Sequence, residues 1–232
     1  PAPIPVGLQV IRSFSAQAPA QTLTEVAERS SLTRAGARRI LLTLQTLGYV
    51  ASDGRLFRLT PRILDLGFAY LSSMPMWNLA EPEMQALTTR VSESCSAAVL
   101  EGSDIVYVLR VPTQKIMSIS LGVGSRLPAY CTSMGRVLLA GMEEPDARLL
   151  LAASERQALT RHTLTDVDEL MARVRQARRQ GWCLVNQELE EGLISLAAPL
   201  TDRSGRTVAA LNISGQANRT PAKAMEERLL PA

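Results

Sequence analysis

Apolar positions in the first quarter of the chain recur at helical spacing. Residues 6–14 form a short apolar stretch that predicts a first helix. Gln17-Ala18-Pro19-Ala20 interrupts it as a loop. Thr22-Leu23-Thr24-Glu25 then has the T-x-x-E form of a capping box, with Thr22 as N-cap and Glu25 reaching back. Leu23, Val26 and Ala27 follow at i, i+3 and i+4, on one face of a second helix that ends near Ser30-Ser31. A third helix is predicted from Thr33 as N-cap to Leu47. Ala37, Ile40, Leu41, Leu44 and Leu47 share one face, and Gly48 is the stop. The period then changes. Residues 49–52 and 55–59 read as strands joined through Asp53-Gly54, a strong hairpin signal. Helix, helix, turn, helix and hairpin in this order predict a winged helix-turn-helix.

Residues 61–73 carry Ile63, Leu64, Leu66, Gly67 and Tyr70, the pattern of an amphipathic helix ended by Met74-Pro75. Its place suits either a linker between domains or a member of the first domain's core. Beyond it helices and strands alternate. Helices are expected over 79–92, 132–141, 146–153 and 166–180, the last with Asp166 as N-cap and Gly181 as stop. Strands are expected over 96–100, 105–111, 116–121, 182–186, 193–199 and 207–214. This predicts a mixed α/β domain, an antiparallel-leaning sheet with helices on one side. The expected organisation is therefore 1–60, a connecting helix over 61–75, and a second domain over 76–232.

Composition narrows the function classes. At 46% hydrophobic, 20% charged and a mean hydropathy of +0.05, the 232-residue chain is neither disordered nor fibrous. No apolar run reaches the ~18 residues of a membrane span. The opening residues lack the basic and long apolar segments of a signal peptide. Three cysteines (Cys95, Cys131 and Cys183) form no CxxC pair, which argues against a zinc ribbon or disulfide framework and fits a reducing cytoplasm. Cys131 and Cys183 read as small buried residues. With one histidine, His162, expected on a surface loop, a catalytic triad or a histidine-rich metal site has little to build on. The chain reads as a non-enzyme without metal or cofactor.

Charge is unevenly placed. Through Thr60 there are seven arginines against three acidic residues, whereas the rest carries 18 basic and 19 acidic residues. A basic first quarter on a near-neutral body points to a polyanion-binding module. In a helix-turn-helix the N-terminal part of the second helix meets base edges. Here that tip holds Thr33, Arg34, Ala35, Gly36, Arg38 and Arg39. At 100° per residue Ala35, Arg38 and Arg39 point away from the apolar face, Arg34 flanks them, and Leu42 also turns outward. Arginine reads guanine O6 and N7, worth ~1–3 kcal/mol of discrimination per good pair. Gly36 costs the helix about 1 kcal/mol relative to Ala, so its presence wants a reason, for instance close approach to DNA. Arg55 and Arg58 lie on the hairpin, where a wing touches phosphates or the minor groove. The competing reading is a solvated basic face on a protein-binding winged helix.

A second segment, RLPAYCTSMGRVLLA over 126–140, leads a proline-containing loop into a helix starting near Thr132-Ser133. Unpaired amides at a helix start carry positive partial charge, and the two hydroxyls add donors. A small carboxylate is the natural guest. An ordinary capped helix without ligand is the alternative.

TRAGARRILLTLQTLGYV, RLPAYCTSMGRVLLA and ELEEGLISLAAPL (188–200) together resemble IclR-type bacterial transcriptional regulators, in the same order and over nearly the whole chain. The first two strings are most similar to the branch controlling aromatic-acid catabolism through the β-ketoadipate pathway. The resemblance implies an α+β chain: an N-terminal winged helix-turn-helix, a linker helix and a C-terminal GAF-like effector domain. It implies double-stranded operator DNA as partner, no cofactor, and dimers that pair through the DNA-binding domains and often form tetramers. It implies an effector such as protocatechuate, para-hydroxybenzoate or a β-ketoadipate-like acid. By the same resemblance, Ser133 and Met134 offer backbone donors to the effector carboxylate. Asn186, Ser195, Asn212 and Ser214 are polar strand positions of the pocket. Thr132, Tyr130, Cys131 and Glu188 lie close by. The chain departs from the family pattern at two of these, where Asp is common in place of Asn186 and Ser or Cys in place of Asn212.

Overall fold

The helical spacing of the first quarter becomes a small three-helix core in the computed structural model, which describes residues 3–74, 76–113 and 121–231. The chain divides into two units, residues 1–73 and 74–232. The first runs α1 (Pro3–Ser13), β1 (Ala20–Thr22), α2 (Leu23–Arg29), α3 (Arg34–Thr46), β2 (Val50–Ser52), β3 (Leu56–Leu59), a 3-10 turn (Pro61–Ile63) and α4 (Leu64–Ser72). The capping box forms. Thr22 Oγ1 accepts from the Glu25 amide at 3.3 Å, and the Thr22 amide donates to Glu25 Oε2 at 2.7 Å. Val10, Val26, Ala27, Ala37, Leu41, Leu44 and Val50 make the core.

Three features depart from expectation. Leu47 is half exposed, because α3 ends one residue earlier and Leu47 is its C-cap, beyond the buried stripe. β1 begins at Ala20, the last residue of the predicted loop. It pairs antiparallel with β3, Thr22 opposite Leu56, giving a sheet of order β1-β3-β2. Three residues are too few to show a period. The helix over 61–73 begins as the 3-10 turn, and α4 buries no residue, with Leu64 and Phe68 69% and 70% exposed.

The second unit runs α5 (Met76–Val91), β4 (Ser94–Glu101), β5 (Asp104–Val111), β6 (Arg126–Pro128), α6 (Ser133–Ala140), α7 (Glu144–Ala153), α8 (Val167–Gln180), β7 (Cys183–Asn186), β8 (Leu193–Thr201), β9 (Thr207–Gln216) and α9 (Ala222–Leu229). The strand expected over 116–121 lies outside the described residues, apart from Leu121, which is not in a strand. β6 and α9 were not anticipated. Among the described residues six strands form one antiparallel sheet of order β6-β5-β4-β9-β8-β7.

Helices cover both faces of this sheet, not one. α6, α7 and α8 bury Leu139, Leu151, Leu170, Met171 and Val174 against Ala98, Ala197 and Ala210. On the opposite face Ile194, Leu196 and Ile213 pack with Val91 of α5 and Met225 and Leu229 of α9. The reason is visible along β8, where Ile194 and Leu196 alternate with Ser195 and Ala197. Large apolar residues on one side and small ones on the other allow burial of both. Gly135 lets α6 approach the preceding loop directly, since a Cβ there would lie 2.2 Å from the Ala129 carbonyl oxygen.

Candidate functional site

The first candidate surface starts at Thr33, whose extended backbone and side chain cap α3 by accepting from the Gly36 amide at 3.1 Å. That cap gives Gly36 a local reason to be glycine, because an added Cβ would sit 3.1 Å from Thr33 Oγ1. Arg34, Ala35, Arg38 and Arg39 are exposed around this tip, Gly36 is half-buried, and Ala37 turns into the core. On the hairpin, Asp53 Oδ1 accepts from the amides of Leu56 (2.8 Å) and Arg55 (3.0 Å). These bonds hold its carboxyl below the ordinary aspartate range. Asp53 also pairs with Arg58 at 3.1 Å across two exposed side chains. Arg58 therefore stands tethered at the wing, while Arg55 projects from its turn, exposed.

The second candidate site is a cavity under the start of α6. Sheet register builds one wall. Ser195 on β8 lies opposite Ser214 on β9 and Val185 on β7. Asn212 on β9 lies opposite Ala197 on β8 and Ser96 on β4, and Ser96 lies opposite Arg110 on β5. Cross-strand partners share a face, so Arg110, Ser96, Asn212, Ser214, Ser195 and Val185 all face the side that α6 covers. Thr132 caps α6 by accepting from the Gly135 amide at 3.2 Å. The amides of Ser133 and Met134 stand in the first turn, where no helical acceptor exists. Tyr107, Leu121, Leu127, Cys131 and Leu193 close the remaining sides. The free space is only about 30 Å³, room for ~2 water molecules.

The polar groups around it are mostly engaged. Ser133 Oγ and Ser195 Oγ share a hydrogen bond of 2.8 Å. Asn212 Nδ2 donates to Ser214 Oγ at 3.0 Å, while Asn212 Oδ1 is buried without a partner among the described residues. Arg110 is half-buried, donates to Ser96 Oγ at 3.3 Å, and meets no carboxylate among the described residues. Burial pushes the Tyr107 phenol up to about 12 and the Cys131 thiol likewise, so both stay neutral at physiological pH.

Of the residues singled out from sequence, Thr132, Ser133, Met134, Glu188, Ser195, Asn212 and Ser214 line this one cavity. Asn186 and Tyr130 do not. Asn186 lies opposite Ile194 and is exposed, because one step along a strand reverses the face. Tyr130 is buried, and its hydroxyl donates to the Gln157 carbonyl at 2.6 Å. Glu188 reaches the wall with its carboxylate already occupied. Arg136 Nη1 and Nη2 donate to its two oxygens at 2.7 and 2.5 Å, and the Leu164 amide adds a third bond at 3.3 Å. Arg136 Nε meanwhile donates to the Tyr130 carbonyl at 3.0 Å.

Sequence reasoning missed Arg110, Arg136 and Tyr107. A signal for Arg110 existed, as an arginine among the apolar positions of DIVYVLRV. His162 is exposed, with Nε2 accepting from Arg161 Nε at 3.2 Å. Among the described residues no cluster could hold a metal ion, and no helix is long and apolar enough to cross a membrane.

Two regions match known protein families. Residues 4–54 match the IclR helix-turn-helix domain, and residues 68–232 the C-terminal domain of bacterial transcriptional regulators of the IclR type. The chain is 45% identical over 226 residues to the Pca regulon regulatory protein of Pseudomonas putida, covering 97% of this chain and 78% of that one. It is 34% identical over 230 residues to the p-hydroxybenzoate hydroxylase transcriptional activator of Acinetobacter baylyi, covering 97% and 85%. A crystal structure of a transcriptional regulator from Rhodococcus sp. RHA1 is 48% identical and superposes with a TM-score of 0.88, over 99% of this chain and 92% of that one. With both domains matched in order around an arginine-bearing helix tip and a separate cavity-bearing unit, the chain belongs to the IclR family of bacterial transcriptional regulators.

Proposed function

We propose that this protein is a DNA-binding transcriptional regulator of aromatic-acid catabolic genes whose effector is a small aromatic carboxylate. The observation that carries the reading is the half-buried Arg110 facing a largely apolar cavity beside the start of α6, with no carboxylate partner among the described residues. A guanidinium in that position favours an anion, and helix-start amides favour the same charge. The relatives' names supply the chemical setting, since one governs a Pca regulon and another activates p-hydroxybenzoate hydroxylase. In this reading residues 1–60 bind operator DNA through Arg34, Arg38, Arg39, Arg55 and Arg58. Residues 61–75 link, and residues 76–232 take the effector. The three free, buried thiols fit a reducing cytoplasm.

Function as a regulator requires that the ligand prefer one conformation. The cavity supplies a physical basis. Space for ~2 waters is less than an aromatic acid needs, so entry must spread the lining side chains. That expansion gives ligand-bound and ligand-free forms different packing around α6. The protein is further proposed to act as a homodimer or homotetramer. Ile4 and Leu8 of α1 and Leu64, Leu66 and Phe68 of α4 leave apolar surface exposed in the first unit, and a palindromic operator suits a two-fold assembly.

The test is a thermal-shift screen against benzoate, para-hydroxybenzoate, protocatechuate, β-ketoadipate and unrelated acids. A site-binding acid stabilises the fold by ~2.7 kcal/mol at a hundredfold excess over Kd. A selective rise for one acid class is expected. A flat response at millimolar concentration with folded protein would remove the effector from the reading.

A further inference from the structure

The outer face of α3 carries a large apolar side chain among its arginines. Ala35, Arg38, Arg39 and Leu42 follow at i, i+3, i+4 and i+7. At about 100° per residue, Leu42 stands above Ala35 and between the two arginines. All four are exposed, Leu42 by 41%, while Ala37, Leu41 and Leu44 bury the opposite side of the helix. Arg34, Arg38 and Arg39 form no ion pair among the described residues. The neighbouring hydroxyls donate to their own helix. Thr43 Oγ1 bonds the Arg39 carbonyl and Thr46 Oγ1 the Leu42 carbonyl, both at 3.0 Å. Leu42 therefore presents bare methyl groups to solvent. A single exposed leucine is ordinary on a protein surface, but this one occupies the centre of the face that the arginines turn towards a polyanion.

We propose that Leu42 is a specificity-determining residue for the DNA operator, and that it reads the C5-methyl group of a thymine in the major groove. This rests on the reading of residues 1–60 as the operator-binding module. The spacing i, i+3, i+4 and i+7 is the one with which the third helix of homeodomains meets base edges. About 10 Å of helix separates Ala35 from Leu42, the rise of about three base pairs. Arginines on either side, engaged with guanines or phosphates, hold Leu42 over the groove floor. On that floor the thymine methyl is the apolar group, and the other exposed edges are donors and acceptors. A leucine set against those edges strips water from them and returns no hydrogen bond. Set against the methyl, it buries apolar surface on both partners. Thymine is thus favoured, and cytosine, which shows an amino group and no methyl at that place, is disfavoured.

The experiment starts from duplexes that the intact protein selects out of a random-sequence pool. In the tightest-binding duplex each thymine is replaced in turn by uracil, which pairs with adenine identically and lacks only the methyl group. Gel-shift titration is expected to find a thymine whose replacement weakens binding about fourfold, the scale of one buried methyl group. In Leu42→Ala the penalty at that position falls to about one. The salt dependence of binding keeps its slope, because no phosphate contact is lost. The wild-type uracil scan tests the proposal whether or not the variant folds. Circular dichroism and sedimentation follow the variant's fold and oligomeric state. A wild type indifferent to uracil at every thymine would overturn the proposal, as would an unchanged pattern of penalties in folded Leu42→Ala. A folded variant whose oligomeric state shifts would assign Leu42 to a contact between copies and overturn it too. Selection of no preferred duplex, with the protein folded, would overturn the operator-binding reading itself and the role of Leu42 with it.

Discussion

Helices α3 and α6 start alike. Thr33 caps α3 by accepting from the Gly36 amide at 3.1 Å, and Thr132 caps α6 by accepting from the Gly135 amide at 3.2 Å. Each tip carries arginine within two residues of that glycine, Arg38 in α3 and Arg136 in α6. The surroundings differ completely. Arg38 is exposed among Arg34, Ala35 and Arg39, whereas the Arg136 side chain is 2% exposed. A charge facing water needs no partner and stays available to a polyanion. A charge inside the protein must be matched, and Arg136 is, by both oxygens of Glu188 and by the Tyr130 carbonyl. The glycines follow the same divide. Gly36 is crowded only by its own cap, while Gly135 lies against the backbone at Ala129. One local code therefore serves two ends. It yields an open recognition tip where the helix borders solvent and a close-packed cavity wall where it does not.

The contrast is sharpest at Glu188. Replacing Glu188 with Ala leaves Arg136 buried and uncompensated, and the expected loss in urea denaturation is about 3–5 kcal/mol. A loss below ~1 kcal/mol, the scale of an exposed pair, would mean the two arginines are not so different after all. Next in size is the pair of glycines. Gly135→Ala forces overpacking against backbone and is expected to cost about 1–3 kcal/mol. Gly36→Ala sets a gain in helix propensity against contact with one flexible hydroxyl, leaving a change below ~1 kcal/mol in the same assay. Equal effects would erase the distinction between the tips. Arg38→Ala is expected to leave stability within about 0.5 kcal/mol while weakening specific operator binding by about 1–3 kcal/mol in a gel-shift titration. Undiminished operator affinity would count against α3 as the reading helix. The cap itself makes the last comparison. Thr33→Ala is expected to lower stability by ~1 kcal/mol, and a change indistinguishable from zero would show that the α3 tip needs no cap.

The two regions also differ in how far their sequences could be read. The α3 tip lies within one helix turn and its flanks, so periodicity and capping placed Thr33, Arg34, Arg38 and Arg39 together on the outside. The cavity draws on β5, β6, β7, β8 and β9 and on the start of α6, segments spread along the chain from Tyr107 to Ser214. A register that no local pattern encodes brings them together. Seven of the nine residues expected around the effector do meet there, on the strength of a family resemblance. Asn186 and Tyr130 fall away for reasons of one-residue parity and hydroxyl direction. Arg110 went unremarked because a single arginine in an apolar strand, though a signal, does not say what it will face until its cross-strand partners are known.

By itself the sequence determined most of the elements: the capping box at Thr22, the N-caps at Thr33 and Asp166, and the turn at Asp53-Gly54. It determined which helix tip carries exposed positive charge, and the family. These are matters of neighbours a few residues apart, where backbone geometry leaves little choice. Only the tertiary structure decided that both sheet faces are covered, that Glu188 belongs to Arg136, and that Arg110 and Asn212 share a wall. Which polar groups end buried together, and which of them remains unpaired, depends on strand register and long-range packing. Those are set by the whole core at once rather than by any local stretch of chain.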